Sequence, residues 1–295
     1  MRPLIFILLI LLVSLSSGMA QTADPVSKPN SKENSIERRW KVGGVDRVAL
    51  VYAPESAKTT ASPLLFAFHG HGGTAQNVAR RMDFQHLWPE AIVVYMQGLP
   101  TPGALTDPEG KLPGWQKAPG DQGDRDLKFF DMVVETVKKD YKVDPKQIFA
   151  TGHSNGGGFT YLLWAERGDL FAAFAPSAAT AARNLAHLKP KPAMHIAGEN
   201  DQLVRFVWQE KAMESVRTLN KCEATGKEWA RAGNIKATLY PSKTGNPFIS
   251  AIFPGPHAFP VEAAGLVVKF FKSYPDLAKS AEPKKEEATK EKGKL

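Results

Sequence analysis

Short apolar runs alternate with longer amphipathic segments through the middle of the chain. Residues 64–68 and 92–95 are apolar at every position, which is typical of strands buried on both faces of a parallel sheet. Residues 124–141 instead carry large apolar side chains at steps of three and four, from Leu127 through Phe130 and Val134. That spacing predicts an amphipathic helix.

The same alternation continues on both sides of these segments. Residues 40–42 and 47–52 are rich in β-formers and are separated by Gly43-Gly44, which predicts a hairpin. Further strands are predicted at 147–151, 193–197, 237–240 and 248–253, and further helices at 156–165, 205–219 and 261–271. Strands that alternate with helices predict an α/β protein with a mostly parallel central sheet and helices on both faces.

The two ends of the chain differ from this middle. Arg2, an apolar run over 3–15 and small residues up to Ala20 predict a secretory signal peptide over 1–20. The run is shorter than the roughly 20 apolar residues that span a bilayer, so we expect no membrane anchor after cleavage; an uncleaved anchor is the alternative. Residues 21–36 predict a flexible leader, and the Lys- and Glu-rich residues 277–295 predict a disordered tail. The catalytic domain is therefore predicted over 37–276, and the protein is expected to be secreted, extracellular or periplasmic.

Composition and charge exclude several other classes. The chain is 43% hydrophobic and 23% charged, which excludes disorder over most of its 295 residues. Its net charge of +8 is spread along the chain, so we expect no nucleic-acid partner. A single cysteine, Cys222, excludes an internal disulfide and a cysteine-based zinc cluster. We expect no metal and no cofactor.

A glycine-flanked serine is the strongest chemical signal in the sequence. Residues 152–156 read GHSNG and match G-x-S-x-G, with a predicted strand before them and a predicted helix after them. This strand–turn–helix context is typical of a nucleophile elbow, in which a sharp turn lifts the serine hydroxyl above the sheet. Gly152 and Gly156 are expected where a side chain would collide with the crossing backbone. Ser154 is the predicted nucleophile.

A serine nucleophile needs a base and an acid, which follow it in that fold in the order acid, then histidine. His257 is the one histidine that comes after the region expected to hold the acid, and it lies in a loop between a predicted strand and the last helix. The loop after the strand at 193–197 carries Glu199 and Asp201. We predict Asp201 as the acid, with Glu199 as the alternative.

Catalysis of acyl transfer also needs hydrogen-bond donors for a developing oxyanion. The backbone N–H of Asn155, directly after the serine, is one predicted donor. The second is expected from the glycine-rich loop that follows the strand at 64–68, with His71 as the predicted donor and Gly72 as the alternative.

These motifs together resemble a known family. The segments FHGHGG (68–73), DRDLKFFD (124–131), YKVDPKQIFATGHSNGG (141–157), GEND (198–201) and PGPH (254–257) are similar to the secreted polyhydroxybutyrate depolymerase and feruloyl esterase group of α/β-hydrolases. The resemblance implies a cofactor-free carboxylesterase that cleaves hydroxyalkanoate esters or feruloyl and acetyl esters. Its substrate would be an oligomeric polyester or an acylated polysaccharide. It places the triad on Ser154, Asp201 and His257, and the oxyanion donors on His71 and Asn155.

Other functions share these features. Trp115, in the Gly- and Pro-rich segment 98–123, is predicted to border the pocket and stack on a sugar or phenolic ring; anchoring of the loop is the alternative. A non-catalytic binding protein on a hydrolase fold remains open, as does a serine peptidase or acyltransferase with the same triad.

Overall fold

The computed structural model describes residues 35–103 and 105–279, and this part of the chain holds twelve strands and six α-helices. The strands are β1 (Ser35–Val42), β2 (Val45–Tyr52), β3 (Ser62–Phe68), β4 (Ile92–Met96), β5 (Leu99–Pro100), β6 (Pro113–Gly114), β7 (Val143–His153), β8 (Ala173–Ser177), β9 (Ala193–Gly198), β10 (Lys227–Ala232), β11 (Ile235–Tyr240) and β12 (Phe248–Phe253). The helices are α1 (Ala75–Met82), α2 (Phe84–Leu87), α3 (Arg125–Asp140), α4 (Asn155–Arg167), α5 (Phe206–Leu219) and α6 (Val261–Lys279). The predicted signal peptide, and most of the predicted leader and tail, lie outside the described residues.

One mixed sheet contains ten of the twelve described strands, in the order β1-β2-β4-β3-β7-β8-β9-β12-β11-β10. The six strands from β4 to β12 are all parallel to one another. At each edge, two further strands continue the sheet in antiparallel fashion, starting with the predicted hairpin of β1 and β2. The prediction of a mostly parallel α/β sheet is therefore confirmed.

Both faces of the central strands are buried, each in its own apolar core. Along β3, Leu64, Phe66 and Phe68 point into the core formed with α3, α4 and α5. The alternate residues Leu65 and Ala67 point into the core formed with α1, α2 and α6. All five side chains are fully buried, and burying each large one contributes about 1.5–3 kcal/mol. This explains why the central strands are apolar at every position.

Six elements have no counterpart in the predicted set: β5, β6, β8, β10, α1 and α2. β8 has the sequence AFAPS, whose alanines and proline are poor strand formers. It becomes a strand because β7 and β9 pair with it on both sides. β10 is a mostly charged edge strand paired only with β11. Tertiary pairing overrides local preference in both.

Several element ends also differ from the predicted ones. β1 begins at Ser35, two residues inside the predicted leader, because Ser35 pairs with Tyr52 of β2. α6 continues through Pro275 to Lys279, past the predicted end at 271 and into the first residues of the predicted tail. The Tyr274 hydroxyl donates to the carbonyl of Lys146, which ties this extension to β7. No helix in the described ranges is both long and apolar enough to cross a membrane.

A buried ion pair holds the long segment between β4 and α3 in place. Arg47 of β2 and Asp126 of α3 are both at most 1% exposed, and Nη2 of the arginine donates to Oδ1 of the aspartate at 2.8 Å. Arg47 also donates to the carbonyls of Gln97 and Arg125. The other carboxylate oxygen of Asp126 accepts the backbone N–H of Gln116 at 2.8 Å. The pair therefore connects the edge of the sheet, α3 and the segment that leads to the cavity described below.

Replacement of Asp126 by alanine should lower the free energy of unfolding by about 3–5 kcal/mol, because it leaves a buried guanidinium without its counter-ion. Urea denaturation measures this. Asp46, which pairs with Lys41 on the surface where both side chains are more than 60% exposed, is the matched control. D46A should cost less than about 1 kcal/mol. Equal losses in the two variants would contradict the importance of the buried pair.

Candidate active site

Ser154 stands at a strained turn between β7 and α4. β7 ends at His153 and α4 begins at Asn155, so one residue makes the whole connection. Ser154 has φ 57° and ψ −121°, a conformation that a non-glycine residue adopts only when its surroundings impose it. Its backbone N–H donates to the carbonyl of Ser177 on the neighbouring strand at 2.9 Å.

The glycines around Ser154 permit backbones to approach one another closely. A Cβ on Gly152 would lie 2.4 Å from the carbonyl oxygen of Gly156, and a Cβ on Gly156 would lie 2.4 Å from that of Phe68. A Cβ on Gly157 would lie 2.5 Å from the carbonyl oxygen of Ser177. Backbone atoms cannot yield to such contacts, so larger residues at these positions would displace the turn. The close crossing expected at Gly152 and Gly156 is present.

Three side chains from different loops meet at the carboxyl edge of the sheet. His257 Nε2 lies 2.8 Å from Ser154 Oγ, and His257 Nδ1 lies 2.7 Å from Asp201 Oδ2. Ser154 follows β7, Asp201 follows β9 and His257 follows β12. β9 lies next to β12, and one strand separates it from β7, so the three loops reach the same edge. Glu199, the alternative acid, is exposed to solvent, and its backbone N–H bonds to Phe253.

The Asp201 carboxylate is buried and fully hydrogen-bonded. It is 2% exposed. Oδ1 accepts the backbone N–H groups of Leu203 and Val204, both at 2.9 Å. Oδ2 accepts Nε2–H of Gln209 at 3.0 Å, in addition to its bond with His257. These donors replace the water that a buried negative charge has lost.

A second histidine, His153, lies against His257. Their ring centroids are 4.9 Å apart, and His153 Nδ1 lies 3.2 Å from Ser177 Oγ. Burial, reinforced by the neighbouring His257, lowers the pKa of His153 to about 3. His153 is therefore neutral at ordinary pH and adds no charge beside His257. Its place at the first variable position of G-x-S-x-G predicted no role for it.

The glycine-rich loop after β3 reaches the same place. The N–H of Gly72 donates to the carbonyl of Pro113 at 2.7 Å, so this alternative oxyanion donor is already engaged. His71, the predicted donor, borders the same cavity as Ser154 and Asn155. Its side chain is fixed separately, because Nε2 bonds to Asp107 Oδ2 at 3.0 Å.

Trp115 is among the residues that line the cavity described below, as predicted, but its side chain is buried. Its indole has 0% exposure, stacks on Phe159 and donates Nε1–H to the carbonyl of His69 at 2.9 Å. Its backbone N–H donates to the side-chain oxygen of Asn155 at 2.7 Å, and its carbonyl accepts that side chain's N–H at 3.1 Å. A buried ring cannot stack on a substrate. The prediction of substrate stacking is therefore corrected to the alternative, an anchor for the loop.

A cavity of about 830 Å³ opens above Ser154 and His257. Its rim includes two apolar side chains that the sequence analysis did not select, Leu105 and Trp208, which are 60% and 41% exposed. The guanidinium of Arg205 lies 4.5 Å from the centroid of the Trp208 ring and covers one of its faces. Two adjacent apolar residues, Val207 and Trp208, lie off the buried face of α5. This break in the helical pattern was the sequence signal that could have indicated Trp208 as a site residue.

Parts of the sequence match known proteins. The prolyl oligopeptidase family matches residues 115–188, a segment that includes the elbow. A bifunctional acetylxylan esterase/xylanase of Neocallimastix patriciarum is 27% identical over 203 residues, which are 67% of this chain and 28% of that protein. A probable feruloyl esterase C of Aspergillus clavatus is 34% identical over 110 residues, 37% of either chain. The matches thus span about a third of the length of these curated relatives.

Solved structures show the same fold. An acetyl xylan esterase from Aspergillus awamori superposes with a TM-score of 0.61 over 80% of this chain and 99% of its own, at 15% identity. A ferulic acid esterase gives a TM-score of 0.56 over 83% of this chain and 98% of its own, also at 15% identity. The chain has the α/β-hydrolase fold. Its sequence is similar to parts of an acetylxylan esterase and of a feruloyl esterase.

Burial of histidine side chains makes the free energy of unfolding depend on pH, and besides His153 it acts on His69 and His195. Burial lowers the pKa of both His69 and His195 to about 4, from an ordinary value near 6.5. The unfolded chain therefore binds protons below pH 6.5 that the folded chain does not. The free energy of unfolding should therefore be highest above pH 6.5. It should decrease as the pH is lowered towards 4, by up to about 1.4 kcal/mol per pH unit for each histidine.

Urea denaturation at pH 7, 6 and 5 measures this slope. H195Q should make it shallower, whereas H187Q, at an exposed histidine, should leave it unchanged. A slope that is the same in all three proteins would contradict the assignment.

Proposed function

We propose that this protein is a serine carboxylesterase. Ser154 is the nucleophile, His257 the general base and Asp201 the residue that orients and stabilises the imidazole. The observation that carries the proposal is the unbroken pair of hydrogen bonds, 2.8 Å and 2.7 Å, that joins the three side chains, of which Ser154 and His257 line the cavity. The sequence relatives named as esterases support the same class.

The proposed reaction has two halves. Ser154 Oγ attacks the ester carbonyl while His257 Nε2 accepts its proton, and the resulting oxyanion is bound by the N–H groups of His71 and Asn155. The tetrahedral intermediate collapses, and the alcohol leaves with the proton from His257. Water then attacks the acyl-serine by the same route and releases the acid and the free serine. Neutral His153 leaves the positive charge of the imidazolium paired with Asp201 alone.

The proposed substrate is an acyl group esterified to a polysaccharide. Relatives are named for acetylxylan and feruloyl esters, and the cavity of about 830 Å³ is far larger than an acetyl group requires. The exposed Trp208 and Leu105 offer an apolar rim for an aromatic acyl group.

We further propose that the protein acts outside the cytoplasm, on the strength of the signal-like residues 1–20. Hydroxyalkanoate esters are the alternative substrate class. The prolyl oligopeptidase match favours peptides as a further one.

The test of the nucleophile is labelling with a fluorophosphonate probe, which reacts with activated serines. The wild-type chain should be labelled at Ser154, and S154A should be unlabelled and lose several orders of magnitude in kcat. S56A, at an exposed serine far from the cavity, is the control. An unlabelled wild-type protein would favour the non-catalytic alternative, and a labelled S154A would place the nucleophile elsewhere.

The test of the substrate is a panel of esters compared by kcat/KM: methyl ferulate, acetylated xylan, hydroxybutyrate oligomers and a prolyl peptide amide. W208A should lower kcat/KM for the feruloyl ester about three- to tenfold, which corresponds to one aromatic contact, and leave small acetyl esters nearly unchanged. V207A changes an exposed residue of the same helix outside the cavity lining and serves as the control. Equal losses on both esters would contradict a role for Trp208 in acyl selection.

A further inference from the structure

A chain of buried polar side chains continues from Asp201 into the core. Gln209 of α5 donates Nε2–H to Asp201 Oδ2 at 3.0 Å. Gln209 Oε1 lies 3.2 Å from His195 Nε2 on β9, and His195 Nδ1 lies 2.9 Å from Tyr161 Oη on α4. Gln209, His195 and Tyr161 are all 0% exposed. The chain thus links the candidate triad to three elements of the core.

The direction of every hydrogen bond in this chain follows from its acceptors. The Gln209 amide nitrogen faces two acceptors, Asp201 Oδ2 and the carbonyl of Val204. Its oxygen must then accept, so His195 carries its proton on Nε2. His195 Nδ1 in turn accepts the Tyr161 hydroxyl proton. Burial lowers the pKa of His195 to about 4, in keeping with this neutral tautomer. All the donors in the chain therefore point towards Asp201.

Packing alone gives no reason for such a chain. Its side chains lie among apolar residues, including Met213 and Val216 of α5 and Trp164 of α4. Apolar groups of the same size would fill this space without the cost of desolvating an amide, an imidazole and a phenol. The chain also ends on Asp201, the carboxylate that bonds to His257. A role at Asp201 explains both facts.

We propose that Gln209 is a positioning residue for the candidate triad, with His195 and Tyr161 fixing its amide. The proposal rests on the proposed function of Ser154, His257 and Asp201. Gln209 and His257 both bond to Oδ2 of Asp201. The N–H of Gln209 therefore holds the carboxylate in place and partly neutralises the negative charge of Asp201. Loss of that donor should let Asp201 rotate and should make it hold the protonated imidazole more strongly.

The test measures the rate of fluorophosphonate labelling of the full chain between pH 5 and 9, which requires no knowledge of the substrate. Asp201, Ser154 and His153 face His257, and His153 stays neutral throughout this range. Q209L should slow labelling about tenfold or more, the equivalent of one hydrogen bond to a charged group. The acidic limb of its pH profile should move to higher pH.

Q209E gives a signature that a structural role cannot produce. Below neutral pH the introduced carboxyl is protonated, can donate to Asp201 as the amide does, and should preserve labelling near the wild-type rate. At higher pH two carboxylates would face each other, so labelling should fall along an alkaline limb that the wild-type protein lacks. Y161F removes a single hydroxyl and should have the least effect on folding. It should slow labelling less than Q209L does, and its acidic limb should also move to higher pH.

Asn220 provides the matched control. It is a fully buried amide at the other end of α5 that bonds to the backbone of Lys191. N220L should lower the Tm and leave the labelling profile unchanged. Wild-type profiles in Q209L, Q209E and Y161F, with only the Tm lowered, would overturn the positioning role. If Q209L does not fold, Q209E and Y161F decide the matter alone. An unlabelled wild-type protein would instead overturn the proposed function itself, which S154A tests separately.

Discussion

The crossing of three backbones at the turn around Ser154 is the constraint on which the site depends. The end of β7, the start of α4 and the carbonyl of Phe68 at the end of β3 approach so closely that a single Cβ on Gly152 or Gly156 would lie 2.4 Å from a carbonyl oxygen. The strained backbone of Ser154 is held there because the surrounding sheet and helix are fixed by their own cores. The serine hydroxyl is thereby presented above the sheet edge, where loops from β9 and β12 reach it.

The wall of the cavity is anchored to the same turn. Asn155, directly after the serine, makes two hydrogen bonds to the backbone of Trp115, so the segment between β4 and α3 is held at the elbow. Asp126 of the buried ion pair accepts the N–H of the next residue, Gln116, and Arg47 holds the start of the segment through the carbonyl of Gln97. A long irregular segment thus borders the cavity with defined geometry, because buried polar groups at two points leave it few alternatives.

The polar groups below the cavity form a continuous set of hydrogen bonds. Asp201 accepts from two backbone amides, a glutamine and a histidine. His195, which reads from the sequence as a structural residue inside a buried strand, is a member of the chain that ends on this carboxylate. A residue can be structural in its burial and still act on the site through its hydrogen bonds.

Much of this protein follows from local sequence, and the physical reason differs for each part. The spacing and number of apolar residues predicted β3, β4 and α3. A strand buried on both faces is apolar at every position, whereas a helix buried on one face is apolar at steps of three and four. Ser154 was accessible from its flanking glycines, and the order of the fold then led to Asp201 and His257, whose side chains the structure brings together. Tertiary structure decided the rest. β8 is a strand because its neighbours pair with it, the Trp115 ring is buried because Phe159 and His69 lie beside it, and Gln209 reaches Asp201 because α5 packs against β9. None of these outcomes leaves a local pattern, since each depends on a partner distant in sequence.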